Sequence, residues 1–368
     1  MPNYEKVNDV VAGSVAGVNG VAVANIQNVN GQDKPTASGA SLWVMLQDDS
    51  QAGYASNSAF DEASDWTFYD ANSSGSDTDF IALCFGKNGS GQDHWVGSWQ
   101  KDSTEIGYTS DPTNDTAWTT VNLGARVYEI AWGNDVWIGI GKMVNGSQKL
   151  HRSTDGINWS EIDLSGVAGI GTSSVFALTT NGAGRWWFGA DDRIFESTDN
   201  GQSWASIHQF SGWASGTDID NIAYTNNSLV AIASGDIYSA SISDLTDWSS
   251  GVEMASGGSS RHLCSYQGRV CIALSAYFWT FDVDGKTITG HSGTISSGTL
   301  PRTDISTQSH SGAQTINTDG TTWMIGCDTG DIFWTTDPAD ANSFSNYILN
   351  LNSSKHINDI KPDVILPL

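Results

Sequence analysis

Ser153-Thr154-Asp155-Gly156-Ile157-Asn158-Trp159 joins two hydroxyls, a carboxylate, a glycine and a tryptophan in one short stretch. The pattern returns as Ser197-Thr198-Asp199-Asn200-Gly201-Gln202-Ser203-Trp204. Looser copies run from Ser110-Asp111 to Trp118, from Ser243-Asp244 to Trp248 and from Thr336-Asp337 to Phe344, so the motif marks a repeating unit. A hydroxyl and a carboxylate hydrogen-bond the backbone N–H groups of a tight turn, and glycine admits a positive φ there. The tryptophan opens the next strand and folds back over the turn, burying roughly 150–250 Å². At about 25 cal/mol per Å² this contributes at most about 4–6 kcal/mol, an upper bound because an unfolded chain already hides part of the ring.

Between these turns lies a second recurring element, an apolar strand led by Trp or Val. It reads Trp43-Val44-Met45-Leu46, Trp95-Val96-Gly97, Trp137-Ile138-Gly139-Ile140, Trp187-Phe188-Gly189, Leu229-Val230-Ala231-Ile232, Val270-Cys271-Ile272-Ala273-Leu274 and Trp323-Met324-Ile325-Gly326. Trp43 to Trp323 spans six intervals averaging about 47 residues, the length of a four-stranded propeller blade. An alternating strand precedes most copies, as in Val127 to Trp132, Ile219 to Tyr224, Phe80 to Phe85, Val175 to Leu178, His262 to Tyr266 and Ala313 to Asn317. The unit at Trp43 lacks one. Ile357-Asn358-Asp359-Ile360-Lys361 follows the same pattern and supplies it from the C-terminus, with Ala24-Asn25-Ile26-Gln27-Asn28 as the competitor. The sequence therefore predicts an all-β, seven-bladed propeller over 41–368, its ring closed by a C-terminal strand, which removes an exposed sheet edge.

Composition agrees. The chain has 368 residues, with 40 Gly, 7 Pro and 16 Trp, and is rich in small polar residues between short apolar runs. No apolar stretch is long enough to span a membrane and no secretory signal is visible, so membrane insertion is not expected. The net charge of −25 repels phosphate backbones, and Lys and Arg are scattered singly, so nucleic acid is not an expected partner. Cys84, Cys264, Cys271 and Cys327 lie in apolar runs without metal-ligand spacing and read as core thiols of a reducing compartment; a bridge between Cys264 and Cys271 across a hairpin is the alternative.

The turns at 153–159 and 197–204 resemble the Asp-box, or BNR repeat, of sialidases, sortilin-type receptors, xyloglucan-degrading enzymes and photosystem II assembly factors. The resemblance covers residues 40–368 and implies a propeller; it weakens in the sixth unit, where Phe281-Asp282-Val283-Asp284-Gly285 replaces the motif. Asp-boxes in these families are structural, so the resemblance carries no activity. A sialidase also needs an arginine cluster, an Arg-Ile-Pro segment and a Tyr-Glu pair. Here no arginine precedes Arg126, and Arg152, Arg193, Arg261 and Arg269 sit at strand positions suited to ion pairs. His94, His151, His262 and His310 show no metal-ligand spacing, and Asp282-x-Asp284-Gly285 lacks the glutamate of a calcium loop. Neither enzyme activity, nor a metal, nor a cofactor is expected.

Residues 1–40 carry a different signal. Val7-Asn8-Asp9, Val18-Asn19-Gly20 and Val29-Asn30-Gly31 recur every 11 residues, each a tight turn beside a small apolar strand, and Gly31 to Ser41 reads as a linker. Such a ladder is too thin to bury a core and is expected to fold against a partner. It resembles the repeated Val/Ile-Asn-Gly-Val segments of tailed-bacteriophage structural proteins. That resemblance implies a virion component assembled in the host cytoplasm, anchored to other virion proteins through residues 1–40, with the propeller displayed for stabilisation or for binding a host glycan or receptor. A bacterial propeller-type binding or assembly factor and a glycan-active hydrolase are the alternatives. The expected ligand face lies opposite the Asp-box turns and carries Asp48, Asp49, Asp191, Asp192 and Asp328, with Trp213 as the aromatic available to stack on a sugar.

Overall fold

In the computed structural model the described residues are 41–48, 51–71, 80–99, 104–141, 149–170, 175, 177–210, 218–254, 262–274, 277–290, 293–295, 299–300, 303–304, 313–338, 346–348, 351 and 355–366, with backbone pairs at 17–18, 21–22, 28–29 and 32–33. From 41 onward they form seven sheets arranged as a ring, antiparallel but for one added strand in the fifth. From the axis outward, blade 1 is Ile357–Pro362, Leu42–Gln47, Gln51–Ser56 and Thr67–Asp70. Blade 2 is Phe80–Lys87, Asp93–Trp99, Glu105–Thr109 and Thr119–Asn122, and blade 3 is Glu129–Gly133, Val136–Ile140, Lys149–Ser153 and Trp159–Asp163. Blade 4 is Ala177–Thr180, Trp186–Ala190, Arg193–Ser197 and Ala205–Gln209, and blade 5 is Ile219–Thr225, Ser228–Ala233, Asp236–Ser241 and Val252–Met254. Blade 6 begins with His262–Tyr266, Arg269–Leu274, Tyr277–Asp284 and Thr287–Gly290; blade 7 is Ala313–Thr318, Trp323–Cys327, Ile332–Thr335 and Asn346–Ile348.

The second strands read as continuous apolar runs because both of their faces are buried. Successive side chains point to opposite sides of a sheet, so Trp43 and Met45 pack against blade 7 while Val44 and Leu46 pack against blade 2. Each junction between neighbouring blades holds its own apolar cluster in this way. One register differs from the sequence reading. Trp186, not Trp187, is the blade 4 counterpart of Trp137: each pairs with the serine that ends its third strand and faces the preceding blade, while Trp187 faces blade 5.

The ring is closed by the C-terminus. Ile357–Pro362 pairs with Leu42–Gln47 with a one-residue bulge before Asp359. The bulge turns Asp359 toward both neighbours. Its carboxylate accepts from the Leu83 N–H of blade 2 (2.8 Å), the Thr315 hydroxyl of blade 7 (2.9 Å) and the Ile360 N–H (2.8 Å). Farther out, Asn57 of blade 1 accepts from the Trp43 indole at 2.7 Å and donates to Asp319 of blade 7 at 3.0 Å. The competing strand at Ala24 to Asn28 is not used for closure; Ala24 to Gln27 lie outside the described residues.

Blade 6, where the motif is replaced, departs from the four-stranded pattern. Arg269 forks onto the Asp282 carboxylate of the next strand, and the sheet continues into Gly293–Ile295. The chain then adds Thr299–Leu300 in parallel to the outer strand of blade 5 and returns at Thr303–Asp304 to pair with Tyr277–Phe278. This excursion cross-links blades 5 and 6. All four cysteines are free; Cys264 and Cys271 stand opposite each other on paired strands. In the separate N-terminal unit, Gly17–Val18 pairs with Val21–Ala22 and Asn28–Val29 with Gln32–Asp33.

Asp359→Ala leaves the buried Leu83 N–H without its acceptor and should lower stability by about 2–4 kcal/mol in urea unfolding. A chain ended after Ser354 should lose cooperative unfolding altogether; near-wild-type melting of that chain would contradict closure by the C-terminal strand.

Candidate functional site

The recurring turns sit between third and fourth strands, on the face where the chain also turns from first to second strand. In blade 3 the Ser153 hydroxyl accepts from the N–H groups of Asp155 (3.2 Å) and Gly156 (2.9 Å) and donates to Asp155 Oδ1 (2.9 Å). That oxygen accepts from Ile157 and Asn158 N–H at 2.9 and 2.7 Å, and the Trp159 indole donates to the Gly156 carbonyl at 3.1 Å. Blade 4 repeats the network: Ser197 binds Asp199, Asp199 Oδ1 accepts from Gln202 and Ser203 N–H, and Trp204 donates to the Gly201 carbonyl at 3.2 Å. In blade 5 Asp244 accepts from the N–H and hydroxyl of Thr246, Ser243 pairs with Ser241, and Trp248 donates to the Leu245 carbonyl at 2.8 Å.

In blades 2 and 7 the capping hydroxyl comes one residue earlier than the sequence reading placed it. Asp111 N–H donates to Thr109 Oγ1 and Asp337 N–H to Thr335 Oγ1, both at 3.0 Å, while Ser110 and Thr336 are exposed. The reason is burial: the capping position is the last inward-facing residue of the third strand, as Ser153, Ser197, Thr109 and Thr335 all are. Trp118 donates to the Tyr69 hydroxyl of blade 1 at 2.8 Å, linking blades instead of closing its own turn. Phe344 lies outside the described residues. Blade 1 holds a further version: Ser58 N–H donates to Ser56 Oγ and the Trp66 indole to the Phe60 carbonyl. A single helical turn, Ala63–Asp65, lengthens that loop and hides the spacing.

These turns also join blades. Gly201 has φ 82°, and a methyl group there would lie 2.3 Å from Ile138 Cδ1 of blade 3; one at Gly156, φ 74°, would lie 2.7 Å from His94 Cδ2 of blade 2. Each turn glycine lets its turn rest on the second strand of the preceding blade. Burial raises the carboxyl pKa values of Asp155 and Asp199, but the hydrogen bonds together outweigh it and both fall to about 2.

The opposite face carries the hairpins between second and third strands. It gathers Asp48, Asp191, Asp192 and Asp328 on one side of the ring but not into one site, because they belong to blades 1, 4 and 7. Asp191, φ 49°, shapes its hairpin, and Asp192 is engaged by Arg193 at 3.7 Å and Gln209 at 2.9 Å. Asp48 lies at the axis, 3.2 Å from His356 and 2.8 Å from the Asn358 amide. Asp49 and Trp213 lie outside the described residues.

The central channel of the ring holds a cavity of about 700 Å³ lined by the first strands of all the blades. Glu129 from blade 3 and Asp359 and Lys361 from the closing strand meet in it, and Asp48 lines it as well. Lys361 Nζ donates to Asn317 at 3.2 Å and lies 3.9 Å from Asp359. Burial lifts the Glu129 carboxyl to about 8 against the pull of Lys361, with Asp359 adding to the rise. Burial likewise lifts Asp359 above the usual carboxylate range despite Lys361 and the Leu83 N–H. Burial lowers the Lys361 ammonium, but Asp359 and Glu129 outweigh it and its pKa rises. Near neutral pH Glu129 is therefore mostly protonated. The sequence did not single out this group, because more than 220 residues separate Glu129 from its partners. Among the described residues no cluster of three His, Cys, Asp or Glu side chains is placed to hold a metal.

Comparison with known proteins bears on the scaffold. The chain superposes on the structure of YCF48 bound to a D1 peptide with a TM-score of 0.51 at 15% identity, covering 77% of this chain and 85% of that one. The WD40 β-propeller domain of Doa1 gives 0.54 at 11% identity, covering 80% and 90%. YCF48 from Cyanidioschyzon merolae gives 0.49 at 15% identity, covering 72% and 85%. The likeness is one of fold. No protein-family model and no curated protein matches the chain.

Two titrations check this geometry. Asp155 has a folded-state pKa below its unfolded value, so its contribution is complete above about pH 4 and is lost as pH falls through about 2. Asp155→Ala should cost about 1 kcal/mol at pH 7, and the gap from wild type should close toward pH 2 in melts across that range. Glu129 has the opposite sign: its raised pKa makes it a liability that grows from about pH 4.5 to 8. Glu129→Gln should melt higher than wild type at pH 8.5, by about 1–2 kcal/mol after allowance for water in the channel, and equal to it near pH 4.5.

Proposed function

We propose that the chain is a non-enzymatic binding propeller and a structural component of a tailed-phage particle, held to other virion proteins through residues 1–40 and presenting its ring to a host receptor or glycan. The observation that carries the particle reading is the eleven-residue Val-Asn-Gly repeat, two copies of which are backbone-paired hairpins only two residues long on each side. Hairpins of that size are marginal in water and gain stability from a surface supplied by something else. The absence of a catalytic role is supported by how the carboxylates are used. Asp359 is saturated by strand and neighbour donors, and Asp155 and Asp199 spend their oxygens on their own turns.

A second reading, a bacterial binding or assembly factor, is favoured by the likeness to YCF48, whose structure was determined with a D1 peptide bound. Both readings make the ring a scaffold for recognising another macromolecule, and they differ in location. In the first the protein is assembled in the host cytoplasm and travels in the virion. Mass spectrometry of purified particles should find the chain at a fixed ratio to the major capsid protein. Its absence from particles, with recovery in the host soluble or membrane fraction instead, would overturn the virion reading in favour of the second.

A further inference from the structure

The closing strand does not end the chain. Pro362 makes the last strand pair, with Trp43, and cannot donate a backbone hydrogen bond onward. Asp363 then latches the ends together: its carboxylate accepts from Ser41 N–H (2.6 Å), the Ser41 hydroxyl and Leu42 N–H (3.0 Å), and its own N–H donates to the Leu42 carbonyl at 3.0 Å. Beyond this latch Val364, Ile365 and Leu366 run along the channel wall at the face that carries the Ser/Thr-Asp turns. Leu366 and the Tyr266 ring both lie over Gly320 of the blade 7 turn, where an added methyl group would be 3.1 and 3.3 Å from them. The segment thus starts in blade 1 and reaches blades 7 and 6.

How it is held differs from everything before the latch. Ile357 and Ile360 are fully buried between two blades. Val364 and Leu366 are only partly buried, and Ile365, 39% exposed, is one of two large apolar side chains that the described surface leaves open. An apolar segment held on one side only, behind a polar latch that fixes its root, can leave the cavity without opening the ring.

We propose that residues 364–366 form a displaceable strap over the turn-face mouth of the central channel, narrowing that mouth until the strap is lifted. The strap depends on neither functional reading above, because it concerns access to the channel and not what enters. Two free thiols report on that access: Cys84 and Cys264 line the same cavity, whereas Cys271 and Cys327 are sealed between blades at 0% and 1% exposure.

The test is thiol labelling of the full chain and of a chain ended after Asp363, with a bulky fluorescent maleimide at pH 8.5 and site assignment by peptide mapping. Loss of the strap should speed labelling of Cys84 and Cys264 by about tenfold, leaving Cys271 and Cys327 unlabelled and the melting temperature within about 2 °C of wild type. Leu366→Asp, which keeps the chain length and the latch, should give the same rise. Equal rates in full-length and shortened chains would overturn the strap. A rise shared by all four cysteines would overturn it too, because it would show the ring loosening as a whole.

Discussion

Closure of the ring at Asp359 is the constraint on which the other contacts depend. Every second strand is apolar on both faces, so no blade is stable beside only one neighbour, and a row of seven would leave two such faces in water. The C-terminal strand removes those ends by becoming the first strand of blade 1. One carboxylate then bonds to the blades on both sides, to Leu83 in blade 2 and to Thr315 in blade 7. The bulge at Asp359 makes this reach possible, and similar register shifts precede Ala82, Asn221 and Thr315 in other first strands.

The outer half of the ring is tied by a different device. In blades 3 and 4 a buried hydroxyl and an aspartate fold the sharp turn, a glycine lets that turn lie against the preceding blade, and a tryptophan covers it. Arg152 donating to the Asn200 carbonyl at 2.9 Å shows the coupling directly, since it joins a blade 3 strand to a blade 4 turn. Much of the acidity tied up in these turns is therefore architectural. The channel holds a small charged group of its own: the Lys361 ammonium beside Asp359, and the Glu129 carboxyl that burial keeps largely protonated near neutral pH.

The blade count, the turn motif and the closing strand were legible because each is written in local spacing, and the Trp-led strands recur at near-equal intervals. Errors arose where two like residues stand side by side. Ser110 and Thr109, Thr336 and Thr335, and Trp186 and Trp187 differ only in which way their side chains point, which the strand register decides. The outward excursion of blade 6 was hidden because it substitutes sheet pairing for a motif. The channel group was hidden because the first strands bring Glu129, Asp359 and Lys361 together only when the ring closes.

Amide hydrogen exchange at the seam tests the closed ring most directly. If closure makes the blades one cooperative unit, the amides of Met45, Leu83 and Ile360 should exchange only through global unfolding, as slowly as those of Ile138 and Phe188 far from the seam. Exchange of the seam amides through a lower-energy opening, with blades 3 and 4 still protected, would contradict the account.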